Sequence, residues 1–75
     1  MVVKVLGGGC AKCETLLKNA KEAIANKGIS AQVEYITDFA VIASLGIMST
    51  PALVVDDKIV SMGKVLRSGD IEKYL

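Results

Sequence analysis

Two cysteines three positions apart, Cys10 and Cys13, are the residues of this chain whose type and spacing best suit chemistry. They follow three consecutive glycines and begin a segment with helical periodicity. If a helix starts near Cys10, both thiols lie at its first turn, close enough to form a reversible disulfide. The unpaired N–H groups and positive dipole end of such a helix favour a thiolate. The spacing predicts a redox pair in which the pKa of Cys10 lies below that of an ordinary thiol.

Cys13 shares a helical stripe with the apolar side chains of Leu16, Leu17 and Ala20. We therefore expect its thiol to point inward, to be hidden from partners and to have a raised pKa. Two cysteines this close in sequence close a very short loop, so a bond between them adds little stability. The pair is predicted to serve chemistry rather than to staple the fold.

Composition and charge exclude several classes of function. The 75 residues carry a net charge of +1 without blocks of one sign, which argues against nucleic acid or an anionic membrane as a partner. The longest apolar stretch, residues 39–48, is interrupted by Ser44 and Gly46 and is shorter than the ~20 residues of a spanning helix. Residues 1–5 lack the features of a signal peptide. We expect a single cytoplasmic domain over residues 1–75, with no membrane segment.

Hydrophobic periodicity and turn residues predict seven elements that must position the cysteines. The predicted strands cover residues 2–6, 31–36, 52–55 and 58–62, and the predicted helices cover residues 10–27, 38–45 and 69–75. Thr37 and Ser68 are predicted to cap the second and third helices. The second helix has few polar residues and is predicted to be buried. Lys4 is expected to snorkel at a strand edge, while Met48 and Met62 are interpreted as core residues.

The order of these elements predicts the fold class. The first strand, helix and strand form a βαβ unit with parallel strands. Asp56 and Asp57, between two β-branched runs, predict a tight hairpin. The result is an α/β protein of order β-α-β-α-β-β-α, with a four-stranded mixed sheet and helices on both faces.

Three features of the chain resemble the thioredoxin superfamily, in particular its minimal thioredoxin-like and glutaredoxin-like redox proteins. They are Cys10-Ala11-Lys12-Cys13 after the first strand, Thr50-Pro51 before the third, and the hairpin of residues 53–60 followed by Gly63. The resemblance implies a thioredoxin-like fold over the whole chain and thiol-disulfide exchange with partner proteins. Cys10 would be the nucleophile, and Cys13 would resolve the mixed disulfide. Thr50-Pro51 would be a cis bond that faces Cys10 and exposes the Thr50 backbone to an extended substrate.

The resemblance also implies substrate contacts and partners. Contacts are expected at Ala11, Lys12, Thr50, Pro51 and Gly63. The implied partners are a disulfide-containing protein and an electron donor similar to thioredoxin reductase, with a monomeric chain that requires no cofactor and functions in electron transport and cell redox homeostasis.

This sequence departs from the family at several positions. No aromatic residue directly precedes Cys10, and the Ala-Lys pair matches neither the Gly-Pro of thioredoxins nor the Pro-Tyr of glutaredoxins. Gly63 and Asp70 meet the glutathione-binding pattern of glutaredoxins only in part. The redox potential and the electron donor therefore stay open.

Metal binding is the alternative chemistry for the two thiols. A closed zinc site needs four ligands, but the chain has no histidine and no third cysteine, so no metal site is predicted. Two thiolates do suit Cu(I), and a soft-metal carrier similar to the heavy-metal-associated domain is the second hypothesis. That family has a Met where this chain has Gly8, and its order is β-α-β-β-α-β. A redox-inert interaction module is a third possibility, but it leaves the cysteine pair without a purpose.

Overall fold

The structure is a computed structural model that describes residues 1–9 and 11–75. The predictions about Cys10, including its place at the start of the first helix, fall outside the described residues. No described helix is both long enough and apolar enough to cross a membrane.

The structure is an α/β fold whose described elements follow the predicted order. They are β1 (Val2–Leu6), α1 (Ala11–Lys27), β2 (Gln32–Ile36), α2 (Phe39–Ser44), β3 (Ala52–Val55), β4 (Lys58–Met62) and α3 (Ser68–Glu72). The four strands form one sheet in the order β2-β1-β3-β4. β1 pairs with β2 in parallel, whereas the β1–β3 and β3–β4 pairs are antiparallel. The predicted four-stranded mixed sheet is confirmed.

Two buried clusters occupy opposite faces of this sheet, because successive residues of a strand point to opposite sides. The larger cluster packs sheet residues against α1 and α3, and its buried members are Val3, Val5, Leu16, Ala20, Ala23, Leu53, Val55 and Ile71. The smaller cluster lies on the α2 side and contains Leu6, Ile42, Ile47, Ala52 and Val54. β1 and β3 therefore form the rigid centre of the sheet, with apolar contacts on both faces.

The prediction that the second helix is buried was wrong. Only Ile42 of α2 is buried, while Phe39 and Val41 are exposed. The helix has only six residues, fewer than two turns, and Ile42 is the one side chain that it contributes to the core. Its N-cap is Asp38 rather than Thr37, and the Asp38 carboxylate accepts a hydrogen bond of 2.9 Å from the Ala40 N–H.

The third helix also differs from its prediction. It begins at Ser68 and ends at Glu72, and its N-cap is Arg67, whose side chain makes no capping hydrogen bond. The Ser68 hydroxyl instead donates to the Glu22 carboxylate of α1 over 3.0 Å. Ser68 therefore joins two helices rather than capping one.

The surroundings of Lys4 also differ from the prediction. β1 is an interior strand, so Lys4 does not lie at a sheet edge. Its ammonium instead lies 3.8 Å from the carboxylate of Asp57 in the β3–β4 turn. That turn is the predicted tight hairpin, with φ of 47° at Asp56 and 67° at Asp57. The Asp56 carboxylate accepts a 2.9 Å hydrogen bond from the Val2 N–H.

Candidate functional site

The strand register brings four loop residues to one end of the sheet. Leu6 pairs with both Ile36 and Ala52, and Ala52 pairs in turn with Met62. These four residues form a row across the sheet, so the residues just beyond them lie side by side. Gly7, Thr37, Pro51 and Gly63 occupy those positions.

Backbone hydrogen bonds fix this row of loops. The Gly7 N–H donates to the Ile36 carbonyl over 2.9 Å, and the Gly63 N–H donates to the Pro51 carbonyl over 2.8 Å. The Thr50-Pro51 bond is cis, as the resemblance implied. Gly63 has a φ of +72°, and a Cβ there would lie only 3.2 Å from Cβ of Ser49. A glycine at this position therefore lets the β4 end lie against the proline loop.

Cys13 belongs to the same end of the sheet, because α1 begins there. Its side chain is fully buried, which confirms the predicted inward orientation. A Cβ added at Gly7 would overlap Cys13 Sγ and would lie 3.8 Å from the Pro51 Cα. Gly7 therefore separates the Cys13 thiol from the cis-proline, and only a residue without a side chain fits between them.

The remaining predicted site residues are exposed. Ala11 and Lys12 open α1, and the Ala11 carbonyl accepts a 2.9 Å hydrogen bond from the Thr15 hydroxyl. Lys12 forms no ion pair within the described part of the chain. Thr50 is also exposed. The structure thus joins Cys13, Pro51 and Gly63 at the sheet end, and places Ala11, Lys12 and Thr50 at the surface.

The sequence analysis missed two aromatic side chains that lie beside the glycine loop. A Cβ at Gly8 would lie 2.9 Å from Phe39 Cζ, and a Cβ at Gly9 would lie 4.0 Å from the Tyr35 hydroxyl. The positions of Tyr35 and Phe39 near the predicted end of β2 and start of α2 were a partial signal, because this end of β2 lies at the same end of the sheet as the start of α1. The contacts themselves join segments far apart in sequence, and periodicity does not report them.

Two methionines that lie close to site residues in sequence are exposed. Met48 is 92% exposed and Met62 is 43% exposed, so their interpretation as core residues was wrong. Met48 lies two residues before Thr50, and Met62 directly precedes Gly63. Within residues 1–9 and 11–75, no three His, Cys, Asp or Glu side chains cluster as metal ligands.

A β2-β1-β3-β4 sheet with a buried helix-borne thiol beside a cis-proline loop defines a thioredoxin-like protein. Comparison with known sequences agrees, since a family model described as a thioredoxin domain matches residues 1–75. The chain is 39% identical to a thioredoxin of Methanothermobacter thermautotrophicus over all 75 of its residues, which span 97% of that relative. It is 35% identical to a thioredoxin of Methanocaldococcus jannaschii, again over its full length and 86% of the relative. The chain belongs to the thioredoxin family, whose members are thiol-disulfide oxidoreductases.

Proposed function

We propose that this protein reduces disulfide bonds in partner proteins with the dithiol of Cys10 and Cys13. The observation that supports this most directly is the place of Cys13, whose buried thiol lies against Gly7 and beside Pro51. A buried thiol at the start of a helix is shielded from external reagents. It remains available to a cysteine three positions earlier in the chain.

The first step is nucleophilic attack by the Cys10 thiolate on one sulfur of the substrate disulfide. The S–S bond of the substrate breaks, a mixed disulfide forms through Cys10, and one substrate thiolate leaves and takes up a proton. Cys10 is assigned this role because it precedes α1, where unpaired N–H groups favour a thiolate.

The second step is attack by Cys13 on the sulfur of Cys10. The mixed disulfide breaks, an intramolecular disulfide forms, and the second substrate thiol leaves. The substrate thereby gains two electrons and two protons, and the protein dithiol loses them. Because Cys13 lies only three positions from Cys10 in the same chain, this step is intramolecular and is faster than attack by an external thiol.

The exposed residues around the thiol supply the substrate contacts in this proposal. The backbone of Thr50, beside Pro51, pairs with an extended substrate segment, and Gly63 lies next to the same loop. Ala11 and Lys12, exposed in the first turn of α1, face the partner. The substrates are proteins, and a reductase similar to thioredoxin reductase restores the dithiol. We propose a cytoplasmic monomer that acts as a thioredoxin rather than as a glutaredoxin.

Reduction of insulin disulfides tests this function. The fully reduced protein, freed of small thiols, should reduce insulin in a single turnover and acquire an internal Cys10–Cys13 disulfide that peptide mapping detects. A Cys10→Ser variant should not react. The proposal is wrong if the wild-type protein leaves insulin oxidised while both of its own cysteines remain thiols. A comparison of thioredoxin reductase and reduced glutathione as electron donors distinguishes the two subclasses.

A further inference from the structure

Phe39 lies on the glycine loop that leads to the cysteines. The tip of its ring contacts Gly8, where a Cβ would lie 2.9 Å from Cζ and 3.7 and 3.8 Å from the Cε atoms. The side chain is nevertheless 65% exposed. The ring therefore touches the loop with its tip and leaves most of its surface open to solvent.

Phe39 is not needed to hold α2 against the sheet. The helix contributes Ile42 to the core, and Asp38 caps it, so neither its burial nor its start depends on Phe39. Among the described large apolar side chains, Phe39 and Met48 are the two most exposed. Phe39 contacts Gly8 of the site, and Met48 precedes Thr50 by two residues in the chain.

Phe39, Met48 and Met62 are all exposed and apolar. Phe39 contacts Gly8, Met48 precedes Thr50 by two residues, and Met62 directly precedes Gly63. An exposed apolar ring against the Gly8 loop matches an apolar side chain of a polypeptide better than it matches a small charged disulfide. Aromatic residues, Phe included, are also enriched at the cores of protein interfaces relative to the rest of the surface.

We propose that Phe39 is a specificity-determining residue, which contacts an apolar side chain next to the disulfide of a partner protein. This inference rests on the proposed function and adds to it the chemistry of the preferred substrate. Phe39 does not touch the reacting sulfurs in this assignment. It selects protein disulfides over small ones by the contact that only a polypeptide provides.

The test compares kcat/KM for insulin with kcat/KM for the small anionic disulfide 5,5′-dithiobis(2-nitrobenzoate). Phe39→Ala should lower the ratio of the two values about tenfold, the usual effect of truncating an aromatic contact at an interface. Phe39→Leu, which keeps an apolar side chain, should recover part of the ratio. Tyr74→Ala is the matched control, since Tyr74 is also exposed but lies beside β4 and α3, and it should leave the ratio at the wild-type value.

Gly8→Ala provides an independent route to the same contact. The added methyl group would displace the ring tip, which is the far end of an exposed side chain, so the fold tolerates the change. Gly8→Ala alone should lower the ratio of kcat/KM for insulin to kcat/KM for the small disulfide. In a Phe39→Ala background, where the ring is absent, Gly8→Ala should have little further effect on this ratio. A double-mutant cycle measures this coupling.

The outcomes separate this inference from the proposed function. If the wild-type protein reduces neither disulfide, the proposed function fails. If it reduces both and Phe39→Ala keeps the wild-type ratio, the inference is overturned and the function stands. An equal loss on both substrates would also overturn it, because Phe39 would then act only by positioning the loop. Sedimentation showing a dimer that Phe39→Ala dissociates would assign the ring to a second copy of the chain and overturn it too.

Discussion

The Cys13 sulfur fills the space that a side chain at Gly7 would occupy. The thiol is fully buried, and the Pro51 loop lies on the other side of the same glycine. Gly7, directly after β1, thus leaves open the space that the Cys13 thiol occupies.

Gly7→Ala should destabilise the protein by roughly 1–3 kcal/mol, the usual cost of overpacking a filled interior. The added methyl group overlaps Cys13 Sγ, and this sulfur belongs to a fully buried side chain. Gly69→Ala is the matched control, because a Cβ there meets no atom within 4 Å. It should be neutral or stabilising by up to about 1 kcal/mol. Denaturant unfolding of both variants checks the prediction, and equal stability would contradict it.

The β3–β4 turn offers a second pair of variants. Asp57 has a φ of 67°, and its carboxylate is almost fully exposed, so its ion pair with Lys4 contributes little. Asp57→Gly should stabilise the protein by roughly 0.5–1 kcal/mol. Glycine removes the cost of the left-handed conformation, and its greater flexibility in the unfolded chain offsets part of that gain.

Asp56→Gly is the contrasting substitution in the same turn. Asp56 also has positive φ, but its carboxylate binds the Val2 N–H at the start of β1. The loss of this hydrogen bond should cancel the conformational gain, so Asp56→Gly should be less stable than Asp57→Gly. The opposite order in thermal unfolding would show that the turn conformation alone determines the effect.

The fold was largely predictable because its elements are local patterns. The helical stripe of α1, the β-branched run of β1 and the Asp56-Asp57 turn each appear within a few residues of sequence. The errors concern tertiary surroundings. Periodicity does not say that a six-residue helix covers the sheet with Ile42 alone, or that Lys4 lies on an interior strand.

The site was also predictable where its residues belong to a local motif, but not where they meet through distant contacts. Cys13, Pro51 and Gly63 were found from motif and resemblance, and the structure brings them to one end of the sheet. Phe39 was missed because its partner, Gly8, belongs to a distant segment. The exposure of Met48 was missed because methionine is usually a core residue, and the sequence does not show which methionines depart from this preference.

Metal content distinguishes redox exchange from the carriage of Cu(I). The purified reduced protein should contain far less than one copper or zinc per chain and should remain folded in a strong chelator, because its core is built from apolar side chains. Elemental analysis and circular dichroism check both statements. Stoichiometric Cu(I) uptake in competition with physiological thiols would make the carrier the better hypothesis.

Alkylation should separate the two thiols. Cys13 is fully buried, whereas the pKa of Cys10 is predicted to lie below that of an ordinary thiol. Limiting iodoacetamide should therefore label Cys10 first, and this labelling should persist at a pH where a model thiol is protonated and unreactive. Peptide mapping over a pH series gives both results. Preferential labelling of Cys13 would reverse the assignment of the two roles.

The central claim is that Cys10 attacks the substrate and Cys13 resolves the complex, and trapping of the mixed disulfide tests it most directly. Cys13→Ser should leave the first step intact and accumulate a covalent complex with insulin, because the resolving thiol is gone. Mass spectrometry should locate the linkage at Cys10, and a thiol reductant should release it. The absence of any covalent complex from Cys13→Ser, or the same complex from Cys10→Ser linked through Cys13, would contradict the account.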